Sequence, residues 1–208
     1  MENIETRPQE GEINCQSSQC GRNSQGSRVR SLALCALFAA LTAVGAFLTI
    51  PVPPVPFTLQ IFFAILSGML LGSRRGAASV GVYVLLGLCG LPVLAKGGGP
   101  SYIFQPTFGY LSGFIAGAWV AGKWLEMRGS GSFWTLLQAA LLGMATDFAL
   151  GAGYFYLLMN VYLDRGMSLW AVLWSTVVLF LPADVLLMAL AAWVSARLRP
   201  VLKREGLL

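Results

Sequence analysis

The 208 residues are 56% hydrophobic and only 11% charged, less than half the charged share of an ordinary soluble domain. So little polar surface cannot cover a globule in water, and lipid is the alternative solvent. The chain carries a formal net charge of +5 and no histidine, which removes the commonest general base and the commonest metal ligand.

Residues 1–30 are polar, rich in Ser, Gln, Asn, Gly and Glu, and aperiodic; they read as a disordered cytoplasmic tail. The leader does not resemble a cleaved signal peptide, because its charged part is long and the apolar run after it covers a full membrane span. Cys15 and Cys20 in this tail lack a second Cys or His pair, and Cys35 and Cys89 sit in apolar runs as small hydrophobes. No metal site and no cofactor are expected.

Six apolar stretches follow, at 31–50, 58–72, 77–95, 107–124, 133–159 and 169–196. They predict an all-α, polytopic bundle of six transmembrane helices within 31–200, followed by a basic cytoplasmic C-terminus at 201–208. A span needs about 20 residues, so the second stretch is short and the last two are long; short segments beside proline-rich connectors suggest helices that bend or stop partway. The connectors alternate in charge. Twelve of the 14 cations fall on one side and only Lys96 and Arg165 on the other. That split requires an even number of crossings with both termini cytoplasmic in a multi-pass cell-membrane protein. The cations mark the ends of apolar segments rather than a phosphate-binding stripe, so no nucleic-acid partner is expected.

Small residues recur at helical spacing. Gly109, Gly113 and Gly117 share one face of the fourth segment, and Gly68 and Gly72 end the second; such stripes let helix backbones approach closely. In the first segment, Ala36 with Ala40 and Ala39 with Ala43 form two parallel stripes that suit either internal packing or a second membrane protein.

Two carboxylates, Asp147 and Asp184, lie inside apolar segments, where an ionisable residue is costly and marks function or a structural hydrogen-bonded pair. Pro182 just before Asp184 withholds an N–H and frees a carbonyl nearby. The connector 51–58, Pro-Val-Pro-Pro-Val-Pro-Phe-Thr, is stiff and extended and suits a cover over the outer face. The connector 96–106 holds Lys96, three glycines that admit close backbone approach, and Tyr102 and Phe104, with Tyr110 just beyond. Together these suit a small, anionic, partly apolar molecule.

The sequence has no GxxxxGK[ST] loop, no HExxH and no GxSxG, which leaves a membrane binding protein without its own ATPase motif and argues against an enzyme.

The run from Gly90-Leu91-Pro92-Val93 through Lys96-Gly97-Gly98-Gly99-Pro100-Ser101-Tyr102-Ile103-Phe104-Gln105 to Pro106-Thr107-Phe108-Gly109-Tyr110-Leu111-Ser112-Gly113-Phe114 resembles the signature of the BioY family. The members are biotin-specific substrate-binding (S) subunits of energy-coupling factor (ECF) transporters. Val55-Pro56-Phe57-Thr58-Leu59-Gln60 and the Ala-rich first segment are similar too. The resemblance covers 31–200 and implies a six-helix bundle that holds biotin near the extracellular side, a membrane coupling subunit and a pair of ATP-binding cassette ATPases. It also implies that Ala36, Ala39, Ala40 and Ala43 form the face that docks the coupling subunit. Many members carry Asp-x-x-Lys in the sixth helix, whereas this chain has Asp184 followed by Leu187. On this reading Lys96 meets the biotin carboxylate. Asp184, Gln60 and Gln105 serve the ureido group, Tyr102 and Tyr110 line the pocket, and Asp147 is a further site residue. An S subunit for another vitamin, or an autonomous secondary carrier, are the alternatives.

Overall fold

A backbone in lipid has no water to bond, so each segment must satisfy its own N–H and C=O groups, and helices do this alone. The computed structural model describes residues 10–50, 57–129, 131–164 and 166–204, with side chains from Val29 onward. Most of the proline-rich connector (51–56), Arg165 and the chain ends at 1–9 and 205–208 lie outside the described residues, as do the side chains of Cys15 and Cys20.

In chain order the helices are α1 (Glu10–Phe47), α2 (Gln60–Leu71), α3 (Ser73–Leu88), α4 (Phe108–Arg128), α5 (Phe133–Leu157), α6 (Leu169–Leu173) and α7 (Leu181–Arg204). Helix α1 begins within the stretch expected to be a tail. The fold is all-α apart from a small antiparallel ribbon between β1 (Thr49–Ile50) and β2 (Phe57–Thr58), in which Thr49 faces Thr58 and Ile50 faces Phe57. Three helical stretches, Val29–Phe47, Phe133–Tyr162 and Leu181–Arg204, are long and apolar enough to cross a membrane.

The short second segment sits at the centre. Helix α2 has 12 residues, about 18 Å at 1.5 Å per residue against a hydrocarbon core of about 30 Å. Eleven of the 12 are buried, and α2 packs against α1, α3, α4, α5 and α7. It faces protein, not lipid, so its length need not match the bilayer. Helix α3 follows after Gly72 alone, whose φ of 85° is the left-handed region that glycine enters without steric cost.

Glycine stripes set the interhelical distances. A side chain at Gly68 would strike the Ala118 main chain on α4, and one at Gly122 would come within 2.5 Å of Ser73 N. Along α4, Gly109, Gly113 and Gly117 face Tyr154, Asp147 and Gly143 of α5 in turn. This stripe is therefore an internal helix–helix seam. The two alanine stripes of α1 divide. Ala39 is buried against Tyr83 and Val84 of α3 with Ala43 beside it, whereas Ala36 and Ala40 are exposed.

The last segment, expected as one helix, is broken. Helix α6 continues into a π-helical turn (Trp174–Val178), and α7 restarts at Leu181. Pro182 lies in the first turn of α7, where a missing N–H is tolerated, and Asp184 N donates to Phe180 O at 2.9 Å. A second π-helical turn, Leu158–Tyr162, closes α5.

The seam makes a direct prediction. Gly143, whose added Cβ would lie 2.9 Å from Gly117 O, should not accept valine: Gly143→Val is expected to cost about 1–3 kcal/mol or more through overpacking. Gly153, with nothing within 4 Å of an added Cβ, should accept alanine with little change. Thermal unfolding of the two purified variants in detergent checks both.

Candidate functional site

At the N-terminal ends of α2 and α4, one pocket gathers side chains from β2, α2, the connector after α3, α4, α5, the π-helical turn Trp174–Val178 and the start of α7. Its apolar wall is largely aromatic, with Phe57, Phe114, Phe148 and Phe180 among the lining residues. Phe57 stacks on Phe180 at 5.9 Å between ring centroids, which ties the β-ribbon to the break before α7.

The polar side of the pocket is built from several elements. Gln60, the first residue of α2, is 3% exposed and held at both ends of its amide. Thr58 Oγ1 donates to its Oε1 at 3.1 Å, its Nε2 donates to the Tyr83 hydroxyl, and that hydroxyl donates to Val93 O at 3.1 Å. This chain of bonds locks the start of α2 to α3 and to the connector that follows it.

Tyr102 enters from a 3-10 turn, Pro100–Phe104, and receives a bond from Thr107 Oγ1 at 3.4 Å. Burial pushes its phenol above the ordinary value, opposed by the bonds with Thr107 and the Lys96 main chain. Tyr110, on α4, lines the same pocket beside Thr176.

Asp147 on α5 and Asp184 on α7 both line the pocket and are 1% and 4% exposed. Asp147 Oδ1, Asp184 Oδ1 and the Tyr110 hydroxyl are buried and lack a hydrogen bond of good geometry among the described residues. Buried polar atoms are nearly always bonded, and each exception asks for a reason. Three such atoms around one cavity form a set of two acceptors and a donor–acceptor that awaits a partner.

Of the seven residues expected to bind substrate, five share this pocket: Gln60, Tyr102, Tyr110, Asp147 and Asp184. Lys96 is exposed and Gln105 half-buried, and neither lines it, although Ala95 does. The glycine loop also behaves differently from expectation. Gly97 N donates to Leu94 O at 3.1 Å and Gly99 N to Gly87 O at 2.8 Å, so these two amides bind the chain itself. Leu187, at the position where a lysine follows the aspartate in many BioY members, packs into the hydrophobic core.

Sequence reasoning missed Thr176, Phe180, Phe148 and Thr107 as lining residues. A signal existed for two of them, because Thr176, Phe180 and Asp184 are spaced four apart and so share a helix face.

Comparison with known proteins places this architecture. The BioY family profile matches residues 17–204. A probable biotin transporter BioY of Lysinibacillus sphaericus is 43% identical over 178 residues, covering 83% of this chain and 88% of the relative. The biotin transporter BioY of Rhodobacter capsulatus is 39% identical over 184 residues, covering 82% and 95%. The crystal structure of the S-component for biotin from an ECF-type ABC transporter superposes with a TM-score of 0.74 at 28% identity, covering 84% of this chain and 93% of that one. The fold, the pocket and these matches agree: the chain belongs to the BioY family.

Proposed function

We propose that this chain is the substrate-capture subunit of an ECF-type, ATP-driven importer, and that it binds biotin from the extracellular side. The observation that carries the reading is the orphaned polar set, Asp147 Oδ1, Asp184 Oδ1 and Tyr110 Oη, around one aromatic-walled cavity. The cyclic urea of biotin offers two N–H donors and one carbonyl acceptor on a compact, otherwise apolar bicycle. Carboxylate oxygens accept from the N–H groups, the tyrosine hydroxyl donates to the carbonyl, and the rings of Phe57, Phe114, Phe148 and Phe180 take the apolar face. A buried carboxyl oxygen left unbonded costs about 1–3 kcal/mol, so a ligand that satisfies it gains more than the net worth of a hydrogen bond in water. Gln60 enters with its amide bonded at both ends, which presets its position and leaves one N–H of Nε2 to give. The valerate carboxylate points out of the acid-lined pocket toward Lys96, one of the two cations expected on the outer side, with Gln105 in the same connector.

Six crossings complete the reading, by α1, α2, α3, α4, α5 and the α6–α7 pair, with both termini cytoplasmic. The 12-to-2 division of the cations supports this orientation. Residues 1–30 then form the cytoplasmic tail, 31–200 the membrane domain and 201–208 the basic cytoplasmic end. ATP hydrolysis takes place outside this chain, on cassette ATPases joined through a membrane coupling subunit. Ala36 and Ala40, exposed on α1, supply the smooth stripe for that docking; Ala39 and Ala43 face α3 and support it from behind.

Two measurements test these assignments. Titration calorimetry on the purified protein should find biotin bound about tenfold or more weakly by Asp184→Asn, the loss typical of one charge-assisted bond, and more weakly by Lys96→Ala. Unchanged affinity in both variants would sink the site. The docking stripe separates from the pocket: Ala40→Trp should abolish biotin uptake by whole cells while the purified variant binds biotin as before.

A further inference from the structure

The opposite ends of α2, α4 and α7 enclose a second cavity, of about 570 Å³, that the capture reading does not use. Three separate chain junctions deliver cations to it. Arg74 and Arg75 come from the start of α3, Lys123 from the end of α4 and Arg199 from the end of α7. Glu126 is the one acidic residue in the lining, so the wall carries a net charge of about +3 at neutral pH.

That carboxylate is already committed. Its Oε1 accepts from Ser73 N and Ser73 Oγ, both at 2.8 Å, and caps the first turn of α3. Its Oε2 lies 3.8 Å from Lys123 Nζ. The two Ser73 donors and the nearby Lys123 ammonium satisfy its charge. It stays charged, yet it does not reach every cation. Arg199 Nε is buried and has no hydrogen-bond partner among the described residues.

The other wall is apolar. Met69, Leu71 and Trp119 line the cavity, and Trp119 is 48% exposed. Trp119 and Lys123 stand one turn apart on the same face of α4, with the indole nearer the bilayer centre and the ammonium nearer its surface. This order, ring inside and cation outside, matches the interfacial region of a membrane. A ligand that fits must therefore be tetrahedral or multidentate in its acceptors, anionic, and joined to an apolar chain that runs inward.

We propose that this cavity is a headgroup site for an anionic glycerophospholipid of the cytoplasmic leaflet. The phosphodiester oxygens meet Arg199, Arg74 and Lys123, and an acyl chain lies against Trp119. Guanidinium forks suit phosphate oxygens better than any other side chain does, and basic pockets between helices on the cytoplasmic side are a recurring form of lipid recognition. The site joins α2, α4 and α7, so an occupant would brace the end of the bundle away from the substrate pocket. The inference rests on the membrane orientation proposed above and is independent of what the first pocket binds.

The test uses the full chain in nanodiscs of phosphatidylcholine alone or mixed equally with phosphatidylglycerol. Native mass spectrometry reads lipid retention, and thermal unfolding reads stability. Phosphatidylglycerol is expected to be retained selectively and to raise the Tm. Arg199→Gln and the pair Arg74→Gln with Lys123→Gln should each lower retention, by about fivefold for every cation removed. Arg199→Lys keeps the charge and should retain most of the lipid, which preserves the test if the glutamine variant aggregates. Arg197, exposed and set over the Trp193 ring at 5.8 Å, does not line the cavity, and Arg197→Gln should leave retention unchanged. Equal retention of the two lipids, or an equal loss on Arg197→Gln, would overturn the proposal. So would a Tm rise with inorganic phosphate as large as with phosphatidylglycerol, or variants that keep the lipid but no longer assemble with partner subunits; these mark a free-anion site and an acidic protein surface instead.

Discussion

Everything in this bundle depends on how closely α2 is allowed to approach its neighbours. Lipid tails are as apolar as leucine, so no hydrophobic force drives one helix onto another, and dispersion contacts at short range must do so instead. Gly68 against the Ala118 backbone and Gly122 against Ser73 make that range available. With α2 drawn into the centre, a helix too short for the bilayer becomes the axis around which longer ones are arranged. Its first residue, Gln60, marks the start of the candidate pocket, and its last residues mark the basic cavity at the other end.

The same closeness governs the pocket. The Gly113 face of α4 makes room for Asp147 of α5, and any side chain there would displace the carboxyl. Placing Asp147 and Asp184 on adjacent helices, both with an unbonded oxygen, is costly in a buried site. The rest of the fold holds them there: the glycine seam between α4 and α5, the break before α7, and the Thr58–Gln60–Tyr83–Val93 bond chain at the pocket edge. A ligand that brings donors would offset that cost, which is why the unbonded atoms speak more clearly than the shape of the cavity does.

Much of the candidate site was legible before any coordinates. Asp147 and Asp184 stood out because charge in an apolar run is expensive, and Tyr102 and Tyr110 because they flank an unusual glycine-rich connector. Lys96 and Gln105 were chosen by proximity in that same connector, and proximity along a loop does not determine which way a side chain faces. The loop curls so that its glycine amides bond inward and Ala95, not Lys96, meets the cavity. Thr176 and Phe180 were overlooked because two breaks in helical geometry separate α6 from α7, and a helical repeat read across such a break carries little weight on its own.

Composition and charge placement by themselves determined that the chain is an all-helical membrane protein, where its apolar segments lie, and which of its polar residues are costly. These follow from solvent: every residue in lipid meets the same transfer penalty wherever the chain folds. Only the tertiary structure decided that the glycine stripe of α4 is an internal seam, that one alanine stripe of α1 faces inward and the other outward, and that cations from three distant junctions share a cavity. Those outcomes depend on helix rotation about its own axis. Rotation is set by contacts between segments far apart in sequence, and residue spacing within one segment defines its faces but not which neighbour each face will meet.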